Sequence, residues 1–110
     1  MRTVVWSEAA LDDMDDLTAY IAADNPVAAL RVLDRIEDAA KRLGEMSIGR
    51  RGRVAGTYEK PVRRLPYIIA YAIRVPPTGR EQVVILRVIH GARNWPDQAW
   101  PRRSRQRRHR

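Results

Sequence analysis

A chain of 110 residues has room for one hydrophobic core, because two smaller ones would each bury too little apolar surface to offset the entropy of folding. The 45% hydrophobic content, with three Trp and four Tyr, is that of a globular domain, and the lack of Cys excludes disulfides, thiol catalysis and a Cys-based zinc site, as expected in a reducing cytoplasm. Residues 1–48 carry ten acids and five bases, residues 49–96 two acids and ten bases, and residues 97–110 one acid and six bases, a polarity suited to nucleic acid, a nucleoprotein assembly or an acidic protein rather than a small metabolite.

Thr3 to Trp6 is predicted to form a short strand, since β-branched residues precede a helix-start signal at Ser7. The apolar run Val4-Val5-Trp6 is too short for a signal-peptide core, and no stretch approaches the ~20 apolar residues of a membrane span. Ala10, Met14, Leu17 and Ile21 then recur at helical spacing, which predicts a first helix ending near Asp24. On that helix Asp12, Asp13, Asp15 and Asp16 point in several directions and read as a solvated face rather than a metal site. Asn25-Pro26 supplies a capping side chain followed by a proline at the first helical position. The second helix carries Ala29, Val32, Leu33, Ile36, Ala40 and Leu43 on its apolar stripe, with Gly44 as a left-handed stop. Two amphipathic helices with almost no linker form an antiparallel hairpin.

Beyond Gly44 the periodicity changes. Residues 48–52 read as a loop, and Val54 to Val62 as a strand that Pro61 places at an edge or bulge. Tyr67 to Ile73 is a stronger strand, Pro76-Pro77-Thr78-Gly79 a turn, and Val83 to Ile89 a central strand covered on much of both faces. Short turns predict antiparallel pairing of these three. The expected architecture is therefore α+β: an N-terminal short strand, an antiparallel helical hairpin, then a three-stranded antiparallel meander forming one sheet packed by the hairpin, with no co-directional strands side by side. Residues 1–96 form the expected domain and 97–110 a basic, flexible tail able to make nonspecific contact with nucleic acid.

Several segments in order, WSEAALDDM, YIAADNPVAA, GRRGRVAGTYE, LPYIIAY and VVILRVIHGARNWP, together resemble the ParE branch of the ParE/RelE toxin family. The resemblance spans about residues 4 to 96 and implies a type II toxin linked to plasmid stabilization, held inactive in a hetero-oligomer by a co-expressed, ParD-like antitoxin. It implies DNA gyrase as the target of ParE-like members and mRNA in the ribosomal A site as that of RelE-like members. A toxin with another target, or a member devoted to antitoxin binding and operon regulation, also fits the family. Fold does not choose among these.

The residues bear on the choice. A metal-independent nuclease needs a base for the 2′-OH, an acid for the leaving oxygen and cations for the transition-state charge. Glu59 and Ile68 occupy sheet positions that are basic in the nuclease branch, and no tyrosine follows Tyr71. Tyr58 and Ala72 stand where ParE relatives often have arginine. His90 and Arg93 form the remaining catalytic candidate, an acid/base and phosphate pair if the chain is a nuclease; otherwise they hydrogen-bond the chain as it leaves the sheet. Arg50, Arg51, Arg53, Arg63 and Arg64, with Arg93 and Trp95, are the candidate target-binding rim, because guanidinium forks suit phosphate and carboxylate groups. Trp95 and Trp100 also read as core-edge packing. Met14, Leu17, Ile21, Leu33 and Ile36 are the candidate antitoxin anchors on the hairpin. The reading calls for no cofactor, no metal and no membrane.

Overall fold

The computed structural model describes residues 2–45 and 49–91. Its elements are β1 (Thr3–Trp6), α1 (Glu8–Ala22), α2 (Pro26–Arg42), β2 (Arg50–Arg51), β3 (Tyr58–Pro61), β4 (Tyr67–Arg74) and β5 (Gln82–His90). The strands make one sheet in the order β1-β5-β4-β3-β2, with a helical hairpin on one face. Among the described residues no helix is long and apolar enough to cross a membrane.

Both helices begin where side-chain caps place them. The Ser7 hydroxyl oxygen accepts from the Ala10 amide at 3.0 Å, and the Asn25 side-chain oxygen from the Ala28 amide at 3.1 Å, each satisfying a donor that the first turn leaves without a partner. Only Ala23, Asp24 and Asn25 separate the helices, so they fold back on each other. Ala10, Met14 and Leu17 of α1 and Ile36 and Ala40 of α2 pack with Ile69 and Tyr71 of β4 and Val83, Ile85 and Val88 of β5 in the main core. Strand alternation sends Ala70 and Ile89 to the other face, where Val54 joins them.

The end of α2 departs from the predicted stop. Among the described glycines only Gly56 and Gly79 have positive φ, so Gly44 is no left-handed cap. Close approach of β1 is what requires glycine there: the Gly44 carbonyl accepts from the Arg2 amide at 2.8 Å, and a Cβ would lie 2.6 Å from the Arg2 carbonyl oxygen.

The sheet also corrects two expectations. Arg50–Arg51, read as loop, forms β2 against β3, and the expected strand from Val54 shortens to Tyr58–Pro61 because Val54 to Thr57 closes a turn through Gly56 at φ 82°. Pro61 lies past the reach of β2, so its missing N–H leaves no ladder bond unmade. Secondly, β1 pairs with β5 in parallel, Thr3 opposite Gln82 through Trp6 opposite Ile85, so two strands do run side by side in one direction. The chain from β1 reaches β5 only after the helical hairpin and β2 to β4, a connection long enough for parallel pairing, while β3, β4 and β5 form the expected antiparallel meander. Central β5 lies between β1 and β4, as its apolar run predicts.

One extra residue on β5 interrupts the β4–β5 ladder. Tyr71 faces Ile85 while Ala70 faces Arg87, leaving Leu86 as the bulge. Its carbonyl accepts from the Ser7 hydroxyl at 2.9 Å, and the Ile85 carbonyl accepts from the Ser7 amide at 2.9 Å. Ser7 thereby caps α1 and satisfies the irregular segment of the sheet with one side chain.

Candidate macromolecule-binding surfaces

The predicted arginine rim divides in two. Arg50 and Arg51 lie in β2 and Arg53 in the turn behind it, at the β2–β3 end of the sheet. Beneath them is Glu59, 4% exposed. Its Oε2 accepts from the Arg53 amide at 2.8 Å, and the carboxylate ion-pairs with Arg50 Nη2 at 3.3 Å and Arg53 Nε at 3.5 Å. A carboxylate this deep requires such partners. The turn is held further by the Gly52 amide donating to the Thr57 carbonyl, and β2 by the Gly49 amide donating to the buried Tyr71 hydroxyl at 3.0 Å. Arg51 is exposed, and none of these bonds uses its side chain.

Arg63 and Arg64 occupy the β3–β4 turn at the other end of β3, where they do not join the first three. Arg64 adopts φ 65°, a left-handed conformation that costs a non-glycine residue about 1 kcal/mol or more. The Arg63 carbonyl accepts from Arg35 Nη1 at 3.3 Å, tying this turn to α2.

His90 ends β5 on the hairpin side, its ring edge-on to Tyr67 with centroids 5.7 Å apart. Around it is a groove of about 740 Å3 that includes Asp13, Asp16, Tyr20 and Arg87. Asp13 holds Arg87 through Nε–Oδ2 at 2.7 Å and Nη2–Oδ1 at 2.8 Å, and its Oδ2 also accepts from the Val88 amide at 2.9 Å. The hydrogen bonds that Arg87 donates to Asp13 raise the Arg87 pKa above the ordinary guanidinium value; burial opposes that and the Asp13 charge adds to it. Asp13 therefore departs from the solvated face predicted for the aspartate quartet: it anchors α1 to the central strand. Nothing local announced this, because its partner lies 74 positions away. Arg93 and Trp95 lie outside the described residues.

Of the hairpin residues expected to contact a partner, Met14, Leu17 and Ile36 are 5%, 9% and 0% exposed and belong to the core, while Ile21 and Leu33 pack half-buried at its margin. Leu11, Tyr20, Val27 and Leu30 are the exposed large hydrophobics of the helices. An apolar groove of about 990 Å3 runs between the hairpin and β1, with Val4, Trp6, Leu11 and Leu33 in its lining and the acids Asp15, Asp34, Glu37 and Asp38 outnumbering the bases Arg35 and Lys41. Leu11 escaped the sequence reading because it stands one position off the apolar stripe of α1; an isolated leucine among aspartates is the signal it leaves. Among the described residues no three His, Asp or Glu side chains gather in a way that could hold a metal ion.

Comparison with known proteins converges on one family. Residues 4–95 match the family model described as the ParE toxin of the type II toxin-antitoxin system, parDE. The chain is 38% identical over 96 residues to "Putative toxin Y4kP" of Sinorhizobium fredii, covering 86% of this chain and 94% of the relative. With "Toxin RelE2" of Caulobacter vibrioides it shares 36% identity over 94 residues, covering 84% of this chain and 99% of the relative. The fold is similar to a chain of the chromosomal ParDE toxin-antitoxin system from P. aeruginosa, with a TM-score of 0.70, 23% identity, and coverage of 82% of this chain and 96% of that one. Helical hairpin, mixed five-stranded sheet and sequence match agree, and the chain belongs to the ParE toxin family of type II toxin-antitoxin systems.

Proposed function

We propose that this chain poisons DNA gyrase by binding it and is neutralised by a ParD-like antitoxin. The observation that carries the choice of binding over catalysis is the charge around His90. Among the described residues its groove contains Asp13 and Asp16, and the guanidinium there, that of Arg87, is held by both oxygens of Asp13. Along the described lining a phosphodiester would meet two carboxylates and a guanidinium already engaged by one of them, where its transition state needs cations. Guanidinium groups gather instead over Glu59, where Arg50 and Arg53 share one buried carboxylate and none of these bonds uses the side chain of the exposed Arg51, leaving a net positive face for a large partner. Antitoxin binding is supported by the apolar groove beside β1, whose acidic residues suit a segment with apolar anchors and basic flanks.

The purified chain is expected to inhibit gyrase supercoiling or trap cleaved DNA, and Arg51→Ala to weaken that effect at least several-fold while His90→Ala leaves it unchanged. In a translating extract the mRNA is expected to stay intact. Ribosome-dependent cleavage that His90→Ala or Arg93→Ala slows, with gyrase unaffected, would replace this reading with a metal-independent mRNA endonuclease of RelE type.

A further inference from the structure

A second cationic surface lies apart from the Glu59 turn. Between the C-terminal half of α2 and the β3–β4 turn is a groove of about 300 Å3 whose lining includes Arg35, Arg42, Lys60 and Arg63, with Asp38 as its carboxylate. The rest of the lining is aliphatic. Arg35 and Arg42 are seven residues apart on α2, about 10 Å along the axis, while Lys60 and Arg63 approach from the sheet. Arg35 is oriented by its bond to the Arg63 carbonyl. Asp38 reaches Arg42 at 3.1 Å, but both side chains are more than half exposed, so water screens the pair and it does little to quench the field of the groove. Among the described residues of the lining four cations face one carboxylate, and they repel one another unless an anion lies among them.

From this geometry we infer that the groove binds the phosphate backbone of duplex DNA. Phosphodiester is the matching chemistry because Arg35 and Arg42 stand about 10 Å apart along α2, so successive phosphates of a backbone can meet the cations where a single small anion would not span them. Duplex is favoured over single strands by what the groove lacks. Single-strand sites gain much of their affinity from bases stacking on aromatic rings, and among the described residues no ring lines this groove. A duplex keeps its bases inside and presents its phosphates at the highest charge density. Contacts of this kind read no sequence, so they would hold the protein on DNA wherever its target works, and they exist whether or not that target is gyrase.

The test is the salt dependence of binding to a labelled mixed-sequence duplex, measured without gyrase on the full-length chain. To separate the groove from the arginine-rich end, all six of Arg102, Arg103, Arg105, Arg107, Arg108 and Arg110 are changed to Gln in the background protein. Within it, Arg42→Gln with Lys60→Gln is compared with Arg74→Gln plus Arg80→Gln, an equal charge change near the β4–β5 turn. Each lost phosphate contact lowers the slope of log K against log salt by about 0.9, so the groove pair is expected to cut it by nearly two, which between 50 and 200 mM salt is roughly a tenfold loss of salt sensitivity. The control pair is expected to leave it near the background value, and the duplex to bind more tightly than either of its strands alone. Arg35→Gln, expected to lower the slope by about 0.9, provides a second variant should the pair fail to fold by circular dichroism. No duplex binding by the background protein, equal effects of the two pairs, or tighter binding of single strands would each overturn the assignment.

Discussion

Asp13→Asn removes the charge that joins α1 to the central strand while keeping the shape of the side chain. In the native protein one carboxylate accepts from Arg87 Nε, Arg87 Nη2 and the Val88 amide. The Asp13 and Arg87 side chains are 14% and 16% exposed. An asparagine oxygen can keep the Val88 bond, but its NH2 then faces guanidinium donors and Arg87 loses its counter-charge. Breaking a fully buried pair from one side costs about 3–5 kcal/mol, and the residual exposure here, which lets water reach Arg87, reduces that to about 2–3 kcal/mol. For a domain of this size such a loss lowers Tm by roughly 10–15 °C. Thermal and urea unfolding followed by circular dichroism measure it directly. Asp13→Ala combined with Arg87→Met is expected to recover part of the loss, because neither charge is then left without its partner. The sign of the pH dependence follows from Arg87. A cation whose folded pKa is raised contributes stability at every pH below its unfolded value, and that contribution disappears only as the pH climbs through the higher folded one. Raising the pH from about 7 to 10 should therefore leave the difference between wild type and Asp13→Asn unchanged. A cost under about 0.5 kcal/mol, with additive single and double variants, would show that the pair does not couple hairpin to sheet.

Ser7→Ala is expected to cost about 2–3 kcal/mol by equilibrium unfolding, since it removes the cap of α1 and leaves the Leu86 carbonyl without its hydroxyl donor. A loss no larger than that of an ordinary cap, about 1 kcal/mol, would mean the bulge carbonyl finds another partner. Glu59→Gln should destabilise the protein by only about 1 kcal/mol, because a glutamine oxygen can still accept from the Arg53 amide and the partly exposed Arg50 and Arg53 can turn to water. Hydrogen exchange is nevertheless expected to quicken in residues 49–57 relative to β4, together with weaker gyrase inhibition; unchanged exchange there would remove Glu59 from its role of positioning the arginines.

How far the candidate surfaces were legible depends on how local their determinants are. The arginines of the rim are conspicuous in sequence, but their division into one group over Glu59 and another at the β3–β4 turn is set by strand register. Glu59 itself reads as a departure from a basic position, and only its depth beneath two guanidinium groups identifies it as their anchor. Met14, Leu17 and Ile36 were legible as an apolar stripe, yet a stripe that fits a partner and a stripe that fits the protein's own sheet have the same spacing, and here the sheet takes them. Leu11, outside the stripe, is among the residues left to face outward.

Periodicity, caps and prolines were enough, from the chain alone, to locate both helices, the hairpin between them and strands β4 and β5, because those signals act between residues a few positions apart and compete little with the rest of the molecule. Tertiary structure decided the parallel seating of β1 on β5, the Asp13–Arg87 tie, the glycine demanded at Gly44 by a passing strand, and the meeting of α2 cations with Lys60 and Arg63. Each joins elements distant in sequence. The partner of a charge or a strand edge is chosen by how the whole chain closes on its core, and no local pattern carries that choice.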